Sequence, residues 1–195
     1  MSLSNATFPL GPLHCRWRPH VRGQAAEPLV RAWLAGQLRC AEDAVPLQRS
    51  PRGRPQLGAP FADVDASWSH SGDGLLMAWG RGLRLGVDVE QMRPRPRALD
   101  LSARYFTAVE TQWLAARTGH AREEAFIRLW CAKEAVLKAH GHGLAFGLDR
   151  LAFAETADGL VLRECDAALG EARAWSLIEF VPVNGYRAAL AWRTA

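Results

Sequence analysis

At 195 residues the chain fits one domain or two small packed halves and is long enough to bury a core. Its 24 basic and 20 acidic residues leave a net charge of +4 and a pI near 9.2, a balance that favours anionic partners such as phosphates or an acidic protein. No run approaches the length of an apolar membrane span, and no charged N-terminal segment leads into an apolar one, so no membrane association is expected and the protein should be soluble and cytoplasmic. Cys15, Cys40, Cys131 and Cys165 show no C-x-x-C spacing and read as reduced thiols rather than zinc ligands or disulfides.

Residues 1–24, rich in Pro and Gly, are expected to be irregular. Arg16, Arg18 and Arg22 with Trp17 among them suit a nucleotide, a nucleic acid or simply a basic arm. Residues 25–38 carry Leu29, Val30, Trp33, Leu34 and Leu38 at helical spacing, which predicts an amphipathic helix. Residues 48–60 have loop chemistry throughout, and Arg52-Gly53-Arg54-Pro55 within them exposes backbone and charge together, as a phosphate site, a base edge or a plain surface loop would.

Residues 65–90 read as a β-meander turned at Gly80-Arg81-Gly82. Ser69-His70-Ser71-Gly72 is expected to be a turn whose N–H groups and side chains converge on an anion. It lacks a G-x-S-x-G elbow, so anion binding is favoured over a nucleophilic serine. In the last strand Leu83, Leu85, Val87 and Val89 alternate with Arg84, Gly86, Asp88 and Glu90, which puts Asp88 and Glu90 on one face. That pair is either a solvated acidic face or a hard-cation site, since two adjacent carboxylates repel without a cation between them and oxygen ligands suit Mg²⁺ better than Zn²⁺.

Residues 91–97 break regular structure at Pro94 and Pro96 and read as a linker whose three arginines are either solvated or attract an acidic partner. Thr107 and Glu110 form a capping box for a helix through Trp113 and Leu114, with Gly119 as its expected stop. A second helix follows, with Glu123 and Glu124 expected in its first turn, Phe126, Ile127, Trp130, Val136 and Leu137 on its apolar side, and Gly141 as C-cap. Glu134 and Lys138, four apart, share a face, as an ordinary surface pair or as a third carboxylate and a cation joining Asp88 and Glu90. The chain has only two lysines, Lys133 and Lys138, both on this helix, which suggests a need there for a compact ammonium. Residues 151–153, 159–163, 172–181 and 186–192 read as strands, the last two joined in a hairpin at Asn184-Gly185. The pattern predicts an α+β fold with largely antiparallel sheets.

Trp68-Ser-His-Ser-Gly72, Gly86-Val-Asp-Val-Glu90 and Trp130-Cys-Ala-Lys-Glu-Ala-Val-Leu-Lys138 with Gly141-His-Gly-Leu144, in this order, resemble the 4'-phosphopantetheinyl transferases, specifically the larger surfactin-synthetase-activating type. The resemblance implies two similar α+β halves joined as an intramolecular pseudo-dimer, here 1–93 and 94–195, and a monomer. It implies transfer of phosphopantetheine from coenzyme A to a serine of an apo acyl or peptidyl carrier protein, with Mg²⁺ and release of adenosine 3',5'-bisphosphate. By match, Asp88 and Glu90 are metal ligands. Glu134 is the third acid, as ligand, base or both, and Lys138 contacts the diphosphate and serves the leaving group. His70, with Ser69 beside it, lies on coenzyme A phosphates, and Arg52, Gly53, Arg54 and Pro55 lie where the family's Gly-Lys-Pro loop meets adenine, with arginine replacing the lysine. Arg22 is the first candidate for the 3'-phosphate, with Arg16 and Arg18 behind it. A nucleic-acid-binding reading of the same charge predicts salt-sensitive binding and indifference to coenzyme A, but no helix-turn-helix, zinc-finger or aromatic RNA-binding motif supports it. A catalytically weak relative that only docks carriers remains the third reading.

Overall fold

The computed structural model describes residues 7–195. The expected irregular arm is instead a hairpin, β1 (Thr7–Leu10) and β2 (Leu13–Pro19), although residues 1–6 of that arm lie outside the described residues. The Arg16-Trp17-Arg18 run is strand alternation: Leu13, Cys15 and Trp17 are buried while the arginines project from the other face. Helix α1 (Glu27–Leu38) follows as predicted, with Pro28 in its first turn and Val30, Trp33 and Leu34 buried. The predicted loop at 48–60 holds a second small hairpin, β3 (Leu47–Arg49) with β4 (Pro55–Leu57), anchored by the buried pair Leu47 and Leu57 facing each other across it.

β5 (Val64–Ser71) and β6 (Gly74–Arg81) pair antiparallel and complete a four-stranded sheet of order β1-β2-β6-β5. The segment Ser69-His70-Ser71 is therefore strand, not turn. The meander also ends at β6: at Gly82, φ +64°, the chain leaves the first sheet, and β7 (Leu83–Gln91) pairs with β11 (Tyr186–Thr194), which in turn pairs with β10 (Ser176–Phe180). Alternation reveals which face a strand buries but not its neighbour, so the partner was not readable from residues 83–90 alone.

The linker leads into a helix the sequence did not announce, α2 (Ala98–Tyr105), then α3 (Ala108–Ala115), whose capping box is formed as predicted by Thr107 and Glu110. Gly119, at φ +53°, opens the 22-residue α4 (Gly119–His140) rather than closing α3, so Glu123 and Glu124 lie in the second turn, while Gly141, φ +89°, caps the far end as expected. β8 (Leu151–Thr156) and β9 (Gly159–Cys165) form a separate two-stranded pair. The strand expected over 172–181 is shortened to β10 because residues 172–174 form a 3₁₀ turn. The α+β, antiparallel expectation holds.

These elements stack in four layers. α1 covers one face of the first sheet through Val30, Trp33 and Leu34 against Leu75 and Met77. The opposite face, with Leu13, Cys15, Trp17 and Leu76, meets Leu85, Val87, Val89 and Leu190 of the second sheet. α4 covers the outer face of the second sheet, packing on Ala189 and Ala191. Where the sheets abut, β5 supplies side chains in place of carbonyls. The N–H groups of Leu85, Val87 and Gln91 donate to Asp65 Oδ2 at 2.7 Å, Ser67 Oγ at 3.1 Å and Ser71 Oγ at 3.1 Å. The exposed edge of β7 is thereby satisfied without a backbone ladder.

Candidate active site

Leu85, Val87 and Val89 turn into the intersheet core, so Gly86, Asp88 and Glu90 face α4. The approach there is close: a Cβ on Gly86 would lie 2.0 Å from the Ala135 carbonyl oxygen and 2.5 Å from the Ala139 nitrogen. Glycine lets the helix backbone rest on the strand, and the two acids beyond it meet the helix face carrying Glu134 and Lys138. Lys138 Nζ donates to Asp88 Oδ1 at 2.6 Å and to Ser69 Oγ at 2.9 Å, and Ser69 Oγ donates to the same Asp88 oxygen at 2.7 Å. One step along both strands, Ser71 Oγ donates to Glu90 Oε2 at 3.0 Å, and Arg95 Nη2 reaches that oxygen at 3.0 Å.

Three carboxylates share this space. Asp88 is 4% and Glu134 7% exposed. Burial, reinforced by the Asp88 charge and opposed by Lys138, pushes Glu134 up to about 7. Burial followed by the Asp88 charge also raises Glu90, against the pull of Ser71 and Arg95. The Cys131 thiol, buried beside them, is held protonated by burial and by the same two acids. Asp88 Oδ2 is buried and receives no nitrogen or oxygen donor, the Cys131 thiol being the carboxyl's hydrogen-bonding neighbour. Among the described residues no three His, Cys, Asp or Glu side chains are gathered at metal-ligand spacing. Asp88 and Glu90 are held instead by Lys138 and Arg95.

Beside Lys138 opens a cleft of about 200 Å³, walled by Arg49, Arg52, Pro55 and Trp68 from one side and by Leu137, Lys138 and Gly141 from the other. Arg49 lies over the Trp68 ring at 4.9 Å, and Arg52 Nη1 is 2.5 Å from His142 Nδ1. His70 is exposed. Through the β6 register it stands across Leu75 from Arg18, on the face toward α1, and its ring lies 5.1 Å from that of buried His20.

Several expected site residues take other roles. Arg54 is buried and its guanidinium is already used: it pairs with Asp65, and Nε donates to the Lys138 and Ala139 carbonyls at 3.2 and 2.9 Å, capping the end of α4. Ser69 belongs to the acidic cluster, on the opposite face of β5 from His70. Arg22 lies in an exposed turn after β2. The two lysines also part company. Lys138 joins the acids, whereas Lys133 is fully buried, bonded to Glu110 Oε2 and the Leu148 oxygen at 2.8 Å each, and is a structural strut from α4 to the start of α3 and the strand β8. Sequence reasoning put Ser71 in an anion-binding turn and Arg95 in a linker, and missed that both reach Glu90. The first was legible in hindsight, because serines at 69 and 71 repeat the two-residue period of Asp88 and Glu90.

Arg54 supports a direct test of this reassignment. Arg54→Lys is expected to lower stability by about 1–3 kcal/mol in chemical denaturation, because one ammonium cannot serve Asp65 and two helix-end carbonyls at once and leaves buried acceptors unpaired.

Residues 84–191 match the family model of the 4'-phosphopantetheinyl transferase superfamily. The chain belongs to that superfamily. It is 33% identical over 172 residues to the 4'-phosphopantetheinyl transferase HetI of Nostoc sp., covering 87% of this chain and 70% of HetI. Against slr0495 of Synechocystis sp. it is 35% identical over 127 residues, 63% of this chain and 50% of that protein. Against the 4'-phosphopantetheinyl transferase Sfp of Bacillus subtilis the figure is 27% over 133 residues, 68% and 58% of the two chains, consistent with the Sfp-like type. The chain thus spans half the length of slr0495 and somewhat more of the other two. The superfamily match takes in β7, α4 and β11, and so Asp88, Glu90, Glu134 and Lys138; residues 52–55 and 69–70 precede it. Among the described residues no helix is long and apolar enough to cross a membrane.

Proposed function

We propose that this protein transfers the 4'-phosphopantetheine of coenzyme A to a serine hydroxyl of an apo acyl or peptidyl carrier protein, with Mg²⁺, releasing adenosine 3',5'-bisphosphate. The observation that carries the reading is the placement of Lys138 and the near-neutral Glu134 beside Asp88 and Glu90, at the edge of a cleft walled by arginines and Trp68. Without metal, burial raises Glu134 to about 7, and a carboxylate so raised is a better proton acceptor than an ordinary one, as a general base must be.

The donor set fits a hard divalent cation: all three groups are carboxylates, two of them are buried, and Asp88 Oδ2 receives no nitrogen or oxygen donor. Asp88, Glu90 and Glu134 would hold Mg²⁺, which when bound supplies charge neutralisation at the diphosphate. The protein's own groups do the rest. Glu134 takes the proton of the attacking serine, the serine oxygen bonds to the pantetheine-side phosphorus, and the bond from that phosphorus to the bridging oxygen breaks toward the bisphosphate. The Lys138 ammonium stands where negative charge grows on the departing phosphate. The cleft between Arg52 and Trp68 receives the nucleotide, with Gly53 and Pro55 in its wall, and His70 meets the phosphates. The register that sets Arg18 and His20 near His70 supports these two over Arg22 for the 3'-phosphate.

The division at residue 93 belongs to the same proposal. Residues 1–93 supply the coenzyme side of the cleft and the acidic strand, and 94–195 supply the helix with base and lysine. One chain then builds the site alone, as a cytoplasmic monomer. The test is to incubate the protein with coenzyme A, Mg²⁺ and a panel of apo acyl and peptidyl carriers and to weigh the carriers. A gain of one phosphopantetheine, dependent on Mg²⁺, is expected on at least one, and none on any would sink the proposal.

A further inference from the structure

Arg95 lies in the linker between Pro94 and Pro96, and nothing in the proposed transfer uses it. Its Nη2 nonetheless sits 3.0 Å from Glu90 Oε2, one of the oxygens assigned above to the metal. Its backbone is fixed independently, because the Arg95 N–H donates to Glu123 Oε1 of α4 at 2.9 Å and proline stands on either side. The side chain can therefore leave Glu90 without the linker moving. It is well placed to do so: the pair is partly solvent-accessible, with side-chain exposures of 34% for Arg95 and 22% for Glu90, and Arg95 Nε is buried without a partner.

Glu90 needs a cation. It is half-buried beside Asp88, and Asp88 in turn is held by Lys138. A divalent ion on the same carboxylate would stand within a few ångströms of the guanidinium, where two positive charges repel through only partial solvent screening. Arg95 and the metal are thus alternatives at Glu90.

We propose that Arg95 is a built-in counter-ion of the metal seat, holding Glu90 until a divalent cation displaces it and so setting the metal affinity of the site. The inference rests on the assignment of Asp88, Glu90 and Glu134 as that seat. Arg93 provides the control: it is exposed in the same linker, and its Nε donates to Gln91 Oε1 at 2.7 Å rather than to an acid.

The experiment titrates Mn²⁺ into the full chain in 0.15 M salt with coenzyme A present and follows free Mn²⁺ by electron paramagnetic resonance, without any carrier or turnover. Arg95→Gln is expected to bind Mn²⁺ roughly three- to tenfold more tightly than the parent protein, whereas Arg93→Gln, whose charge acts only at a distance through screening salt, stays within about twofold. Arg95→Lys, which keeps the charge on a shorter stem, should fall between parent and Arg95→Gln. Equal affinity in parent and Arg95→Gln, weaker binding by Arg95→Gln, or equal tightening by Arg93→Gln would each overturn the counter-ion role while leaving the seat intact. Mn²⁺ binding by neither parent nor Arg95→Gln would overturn the seat itself, and this inference with it.

Discussion

Glu134→Gln is expected to lower carrier loading by about two to four orders of magnitude, the range that a positioned general base supplies, while making the metal-free protein more stable at neutral and alkaline pH. The two effects have one cause. Glu134 is 7% exposed beside Asp88, and burial holds its proton up to about pH 7 against an ordinary value of 4.5. Between those two pH values the folded chain binds a proton that the unfolded chain has released, so stability falls as pH rises through this window, and above about pH 8 the full cost is present. A shift of that size corresponds to on the order of 3 kcal/mol, and the raised carboxyl of Glu90 works in the same direction. The amide cannot ionise. Its stability advantage should therefore be absent near pH 4, where the parent side chain is protonated in both states, and greatest near pH 8. Thermal unfolding of both proteins across that range reads the difference, and Mn²⁺ should narrow it by stabilising the ionised parent. An inactive variant with no pH-dependent gain in stability would mean that Glu134 does not sit in the buried, acid-flanked environment described above.

Much of the site was legible because its elements announce themselves by period. Alternation over residues 83–90 placed Asp88 and Glu90 on one face, and helical spacing placed Glu134 and Lys138 on another. The capping box at Thr107 and the left-handed glycine at 141 fixed two helix ends. What failed was of a different kind. The hairpins at 7–19 and 47–57 were hidden because Pro, Gly and Arg composition reads as loop, while the deciding signal is the alternation of a few buried residues such as Leu13, Cys15 and Trp17. The partner of β7 was hidden because strand pairing is a tertiary fact. Arg54 was misread for a similar reason: a guanidinium in a Gly-Arg-Pro turn looks free until Asp65 and the end of α4 are seen to claim it. The polar alternation Asp65, Ser67, Ser69, Ser71 carried a signal of its own, since a strand with small hydrogen-bonding groups on one face has been fitted to meet another backbone edge there.

Gly86→Ala is expected to be the most damaging single methyl in the acidic strand. Its φ is not in the left-handed region, so the defect is one of space: the added Cβ would meet the Ala135 carbonyl oxygen at 2.0 Å and the Ala139 nitrogen at 2.5 Å. Both are helix backbone atoms, which cannot rotate aside as a side-chain terminus would, so the C-terminal half of α4 must lift from β7 or the strand must bow. Overpacking against movable neighbours costs about 1–3 kcal/mol, and here the upper end or more is expected, a fall in Tm of roughly 6–12 °C for a chain of this size. The same displacement separates Glu134 and Lys138 from Asp88, and because a shift of about 1 Å in a catalytic constellation can cost a hundredfold in rate, whatever protein remains folded should load carrier at least that much more slowly. Gly36→Ala gives the contrast. Gly36 is exposed on α1 and an added Cβ there would meet nothing within 4 Å, so the same change should leave loading unaltered and raise stability by up to about 1 kcal/mol. If both alanines behaved alike, the contact between α4 and β7 would not be what holds base, lysine and acids together.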